Sequence, residues 1–143
     1  MFAALLLAAS VATSFLDDFK GTWLCGDQKT PWTIAESGDR WATVTYGASE
    51  HPYGIAYVGY LDSEKSFVYN DFHSDGGFAQ LSAPEPKNHI YHWTGTFFAV
   101  GKDKDPTTDI YWTKLKPDTF LMDFGQMINN MRTPRGSQKC VKA

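Results

Sequence analysis

The stretch that decides the fold is Ile55-Ala56-Tyr57-Val58-Gly59-Tyr60-Leu61, followed by Asp62-Ser63-Glu64-Lys65 and then Ser66-Phe67-Val68-Tyr69-Asn70-Asp71-Phe72. Two runs of aromatic and β-branched residues flank four polar ones. Such side chains fit a pleated surface, so the segment predicts a β-hairpin. The same grammar repeats outward in both directions. Toward the N-terminus lie Phe19–Cys25, Trp32–Glu36 and Trp41–Tyr46, separated by Gly26-Asp27 and Ser37-Gly38-Asp39. Toward the C-terminus lie Gly77–Leu81, His89–Val100, Asp109–Leu115, Thr119–Phe124 and Lys139–Val141. Turn residues recur about every 8–12 positions, the spacing of all-β domains. Helical periodicity is nearly absent, and Met122–Arg132 is the one stretch read as a helical turn or irregular segment.

About 8–10 short strands with short connections predict an up-and-down antiparallel meander. A meander of that length leaves exposed edges unless it closes, so a barrel is expected and a sandwich is the alternative. Length agrees with one domain: the chain has 143 residues, enough for a single core. Phe (10), Tyr (7) and Trp (5) together outnumber Leu, Ile and Val. Net charge is −3 with the cations scattered, so no basic stripe suits nucleic acid.

Met1 to Ser14 carries no charge and contains the apolar run Phe2–Ala9. That run has the length of a signal-peptide core and is too short to span a bilayer. Residues 1–14 are therefore read as a signal peptide, with Ser10-Val11-Ala12 or Ala12-Thr13-Ser14 as the cleavage context and 15–143 as the mature domain. A periplasmic or secreted protein follows, without stable membrane insertion after cleavage. The alternative is an N-terminal helix packed on the domain. In an exported chain Cys25 and Cys140 most simply form one disulfide, which restrains the unfolded chain by roughly 4–5 kcal/mol. Two unpaired buried thiols are the alternative. No second Cys and no His accompanies either one, so zinc is not indicated, and no lipobox precedes Cys25.

Phe19-Lys20-Gly21-Thr22-Trp23 resembles the Gly-x-Trp signature that opens the lipocalin and wider calycin barrels, and Thr108-Asp109-Ile110-Tyr111 loosely resembles their second motif. The resemblance implies a calycin-like barrel in which Trp23 closes one end beneath a basic residue from the C-terminal region. Arg132, or else Arg135, is placed to supply that residue. Some small calycin barrels hold haem through one histidine, which makes His73 or His92 the candidate ligand on analogy alone.

Chemistry concentrates in Tyr69-Asn70-Asp71-Phe72-His73-Ser74-Asp75-Gly76-Gly77. If extended, the segment puts Tyr69, Asp71, His73 and Asp75 on one face. The carboxylates would raise the imidazole's proton affinity and fix its tautomer. Gly76-Gly77 makes a turn or bulge there, which rotates Asp75 off that face; a plain hairpin mouth is the competing reading. Tyr91 and Trp93 alternate with His92 and Thr94 on a later strand, and Gly59 and Gly95 leave space beside a neighbour. The resulting expectation is an interior site for a small, largely apolar or aromatic ligand, built from Tyr69, Asp71, His73, Tyr91 and Trp93. A completely filled interior is the alternative. No catalytic residue, metal site or cofactor is assigned, since no nucleophile or phosphate motif stands out. Two other functions stay open: an enzyme using His73 with Asp71 or Asp75, and an inhibitor or interaction protein acting through the loop Ser82–Pro86.

Overall fold

A computed structural model describes residues 11–38, 40–99 and 107–143. The apolar run Phe2–Ala9, Asp39 and the last residue of the expected strand His89–Val100 lie outside the described residues. Among the described residues one helix, α1 (Val11–Phe19), precedes ten strands. These are β1 (Gly21–Cys25), β2 (Thr30–Ser37), β3 (Trp41–Ala48), β4 (His51–Leu61) and β5 (Ser66–His73), then β6 (Phe78–Pro84), β7 (Ile90–Phe98), β8 (Thr107–Lys116), β9 (Thr119–Ile128) and β10 (Met131–Lys142). Each strand pairs antiparallel with its sequence neighbours, and β1 pairs with β10 to close the barrel. The closed meander is the expected architecture, and the sandwich is discarded.

Two expectations are corrected. Met122–Arg132 is neither helical nor irregular: it is the second half of β9, a turn at Asn129-Asn130 and the start of β10. Both asparagines have positive φ, 51° and 62°, the conformation of a tight two-residue hairpin turn that Asn tolerates. The extra strand length also extends β10 back from Lys139 to Met131. Phe19, expected to open the first strand, instead ends α1.

Closure at the seam is short. Only three residue pairs join β1 to β10: Trp23 with Lys142, Leu24 with Val141 and Cys25 with Cys140. The last is the disulfide, which spans 115 positions of sequence. The amides of Gly26 and Ala143 extend the seam by bonding the carbonyls of Lys139 and Thr22, at 3.0 and 2.9 Å.

Helix α1 stops one end of the barrel. Ala12, Phe15 and Phe19 are its buried residues, at helical spacing on one face. Nine residues are too few for a helix to persist alone in water, so packing holds this one. Phe15 meets Trp112 and Tyr91 at centroid distances of 5.7 and 5.8 Å, and Phe19 meets Phe120 at 5.0 Å. Trp23 seals the same end: its buried indole N–H donates to the Phe19 carbonyl at 2.8 Å, satisfying one of the carbonyls that a helix C-terminus leaves unpaired. On the barrel side, Asp18 of the helix accepts hydrogen bonds from Tyr91 and pairs with His89 at 2.8 Å. His89 belongs to the turn between β6 and β7 and not to the strand expected from His89 onward.

Two glycines permit close approach. A Cβ on Gly95 would stand 2.0 Å from the Gln80 carbonyl oxygen on β6, and one on Gly59 would enter the Trp41 ring at 2.3 Å. Both positions leave the space expected of them.

Candidate functional site

With one end stopped, a cavity of about 460 Å³ remains in the other part of the interior. Its wall is mainly aromatic and aliphatic, with Trp32, Tyr46, Tyr69, Leu81, Trp93, Ile110, Trp112 and Phe124 contributing. The interior is therefore divided, with aromatic filling around α1 and open volume beyond it. Trp32 and Tyr46 stack at 4.5 Å and 17°, presenting paired ring systems from β2 and β3. Trp93 also lines the cavity, and its indole N–H is the one buried side-chain polar atom without a partner among the described residues. Leaving such a donor unpaired is costly in a dry interior.

The polar side of the wall comes from β5. Strand alternation points Tyr69, Asp71 and His73 inward together, as expected. Asp71 is 8% exposed and accepts from the Tyr46 hydroxyl at 2.9 Å through Oδ2 and at 3.2 Å through Oδ1. His73 Nε2 lies 3.0 Å from Asp71 Oδ2. That hydrogen bond raises the imidazole's pKa above its usual 6.5, against the desolvation that lowers it. Burial, with the Asp71 charge behind it, pushes the Tyr46 and Tyr69 hydroxyls well above the usual phenol range, so both stay protonated as donors. Asp75 leaves this face, as the glycines implied: it accepts the Gly77 amide at 2.8 Å in a turn where Gly76 has φ 89°.

Tyr46 is the member that sequence reading missed. It enters because β3 and β5 both flank β4 and turn the same face inward. A clue was available in Gly54, where a Cβ would stand 2.2 Å from the Tyr46 hydroxyl oxygen. Phe97, which alternates in step with Tyr91 and Trp93, and Thr108 of the second motif also line the cavity, as do Tyr53 and Gln126, which sequence reading did not single out.

Tyr91, expected in the ligand site, lies elsewhere. It is fully buried at the stopped end, and its hydroxyl is hydrogen-bonded to Ser14 at 3.0 Å and Asp18 at 3.1 Å. The helix occupies the volume that a ligand would need there. Arg132 is also displaced from its expected post over Trp23. The cations over the Trp23 ring are Lys114 and Lys142, at 4.3 and 5.1 Å. Lys142 still comes from the C-terminal region, as the calycin pattern implies. Arg132 instead lies over Tyr111 and donates to Asp109 Oδ1 at 2.7 Å.

The Asp109 cluster sits on the outward side of β7 to β10, since Trp93 and Trp112 occupy the inward side. His92 stacks on Tyr111 at 4.2 Å and its Nε2 lies 2.7 Å from Asp109. Desolvation raises the Asp109 pKa, but the hydrogen bonds from His92 and Arg132 outweigh it and hold the carboxyl below its usual range. His92 is thus turned away from the cavity, while the Nε2 of His73 is committed to Asp71. The loop Ser82–Pro86 is shorter than expected, because Ser82–Pro84 belongs to β6, Ala83 is buried, and Glu85 accepts the Tyr60 hydroxyl at 2.6 Å.

The closed ten-strand antiparallel barrel with its tryptophan-sealed end is consistent with a small calycin-like barrel. No family model matches the chain, and no curated protein matches it.

Proposed function

We propose that this barrel is an exported binding protein for a small, largely apolar or aromatic molecule held in its interior. The observation that carries the reading is the 460 Å³ cavity, walled by aromatic rings with a few convergent polar groups on one side. That volume lies within the ordinary range for small-molecule sites, as does the mixture of apolar wall and localised polar groups. Aromatic walls supply contact area with little loss of side-chain freedom, and Tyr46, Asp71 and His73 would fix a ligand's orientation. The unpartnered Trp93 N–H supports the reading further, because a ligand acceptor is one group that would satisfy it.

Export is supported by the apolar run Phe2–Ala9 and by the Cys25–Cys140 disulfide, a bond that persists in oxidising compartments. Cleavage after Ala12 or Ser14 would leave Phe15 and Phe19 to stop the barrel. N-terminal sequencing of the protein recovered from the periplasm or medium tests this: a product that retains Met1 would refute it.

Native mass spectrometry tests the binding function. Protein purified without denaturation from its own source should carry a discrete added mass that is lost on unfolding. Failure to retain any ligand, together with failure to bind small neutral aromatics added at millimolar concentration, would overturn the proposal. The alternative of acid–base catalysis has one observation in its favour, the His73–Asp71 pair at 3.0 Å in the cavity wall. It requires turnover of a bound ligand, with His73→Ala abolishing that turnover.

A further inference from the structure

The cavity's charge distribution narrows the class of ligand. Among the described residues that line it, Asp71 and His73 are the only ionisable side chains apart from tyrosines, and none is a Lys or Arg. Arg132 is on the outer surface with Asp109, and Lys114 and Lys142 are over Trp23 at the stopped end. A carboxylate ligand would therefore enter an apolar enclosure that already holds a carboxylate and offers it no basic partner beyond one histidine. Burying two like charges together is strongly unfavourable.

The opposite charge meets a prepared site. A carboxylate offers about four lone-pair positions, and Asp71 has two donors, the Tyr46 hydroxyl and His73 Nε2, both closest to Oδ2. Oδ1 holds only the longer, 3.2 Å branch of the Tyr46 contact, so it retains acceptor capacity. A ligand ammonium at Asp71 takes over the role of the imidazole's proton, and the neutral ring that remains still donates one N–H to Oδ2, so the cluster holds its geometry while presenting the carboxylate's negative charge. The rings of Trp32, Tyr46, Tyr69 and Trp93 line the same cavity as this acceptor, and aromatic faces attract cations most strongly where water is excluded.

Resting on the reading of the cavity as a ligand site, we propose that its ligand is an aromatic or aryl-alkyl amine, bound as the ammonium with an N–H directed to Asp71, and that carboxylates are rejected. The apolar wall takes the aryl body, on which an acceptor substituent would meet the Trp93 N–H; the carboxylate and ring faces take the charged head.

Four probes of nearly equal size test this on the disulfide-bonded protein: 1-naphthylmethylamine, 1-naphthalenemethanol, 1-methylnaphthalene and 1-naphthoic acid, by calorimetry at neutral pH. The amine should bind about tenfold or more tighter than the alcohol and the hydrocarbon, the size of effect expected of one charge-assisted hydrogen bond, and the acid should bind weakest. Asp71→Asn should remove the amine's advantage and leave 1-methylnaphthalene within about twofold of the unsubstituted protein. Tyr46→Phe keeps the carboxylate and should keep the preference for the amine, so the test does not depend on one variant folding. If the hydrocarbon and alcohol bind while the amine gains nothing, or if the acid binds tightest, the amine proposal fails and the cavity reading stands. If none of the four binds, both fall.

Discussion

Replacing Cys25 and Cys140 together by Ala tests how the barrel is closed. The bridge joins residues 115 positions apart, and the loop-closure entropy of that length, 2.1 + 1.5R ln n cal/mol/K, corresponds to about 4.8 kcal/mol at 25 °C. Little else at the seam compensates, because β1 and β10 share only three registered pairs, one of them the cystine, extended by the two amide bonds of Gly26 and Ala143. A domain of this size has about 5–15 kcal/mol in total, so the loss would be a third or more of its stability. With a urea m-value of about 2 kcal/mol/M the unfolding midpoint should fall by roughly 2–3 M. Both sulfurs are buried, and truncation to Ala adds a small packing loss of about 1 kcal/mol. Urea titrations followed by tryptophan fluorescence should therefore compare three samples: oxidised protein, reduced protein and the double variant. Reduced protein should lie close to the variant, displaced by the packing difference. A midpoint shift below about 0.5 M for both, with m unchanged, would refute the reasoning, because it would mean that the seam restrains the ends without the bridge.

Other perturbations separate fold from site. Gly95→Ala places a Cβ against the β6 backbone and should cost roughly 3 kcal/mol, the upper end for overpacking, read as a lowered urea midpoint; an unchanged midpoint would contradict the close approach. Gly54→Ala places a Cβ against the Tyr46 hydroxyl and the ring carbons next to it, so it should lower the urea midpoint and displace that hydroxyl from Asp71; an unchanged midpoint would contradict the contact. Phe19→Ala should lose about 3–5 kcal/mol, because the ring is fully buried among aromatic neighbours; a near-neutral result would show that α1 does not stop the barrel. His73 has a folded pKa above its unfolded value near 6.5, so the stability it contributes is fully present below pH 6.5 and is lost as pH rises through the folded pKa. Thermal unfolding across pH 6–9 should show this decline in the unsubstituted protein and not in His73→Gln, and parallel curves would remove the Asp71–His73 linkage.

The proposed site was half legible in the chain. Alternation alone placed Tyr69, Asp71 and His73 on one face, because a strand's two-residue period is a local property. Gly76-Gly77 foretold that Asp75 would leave it. Tyr46 was not legible, since its meeting with Asp71 depends on β3 and β5 lying on either side of β4 with registers set by the whole sheet. Arg132 was misplaced for a related reason. Which C-terminal cation reaches Trp23 depends on register, and Lys142 is the residue opposite Trp23.

The sequence by itself determined the all-β meander, because turn chemistry and strand composition are properties of short segments; it favoured a barrel over a sandwich and a disulfide over two free thiols, and the pairing of β1 with β10 decided both. Only the tertiary structure decided that the interior is part filled and part hollow. Val11–Phe19 is too short to hold a helix alone, and the packed helix that sequence left as an alternative forms because the barrel end offers Phe15 and Phe19 a place out of water. That single packing event gives Tyr91 to the stopper and leaves Trp93, Asp71 and His73 to the cavity.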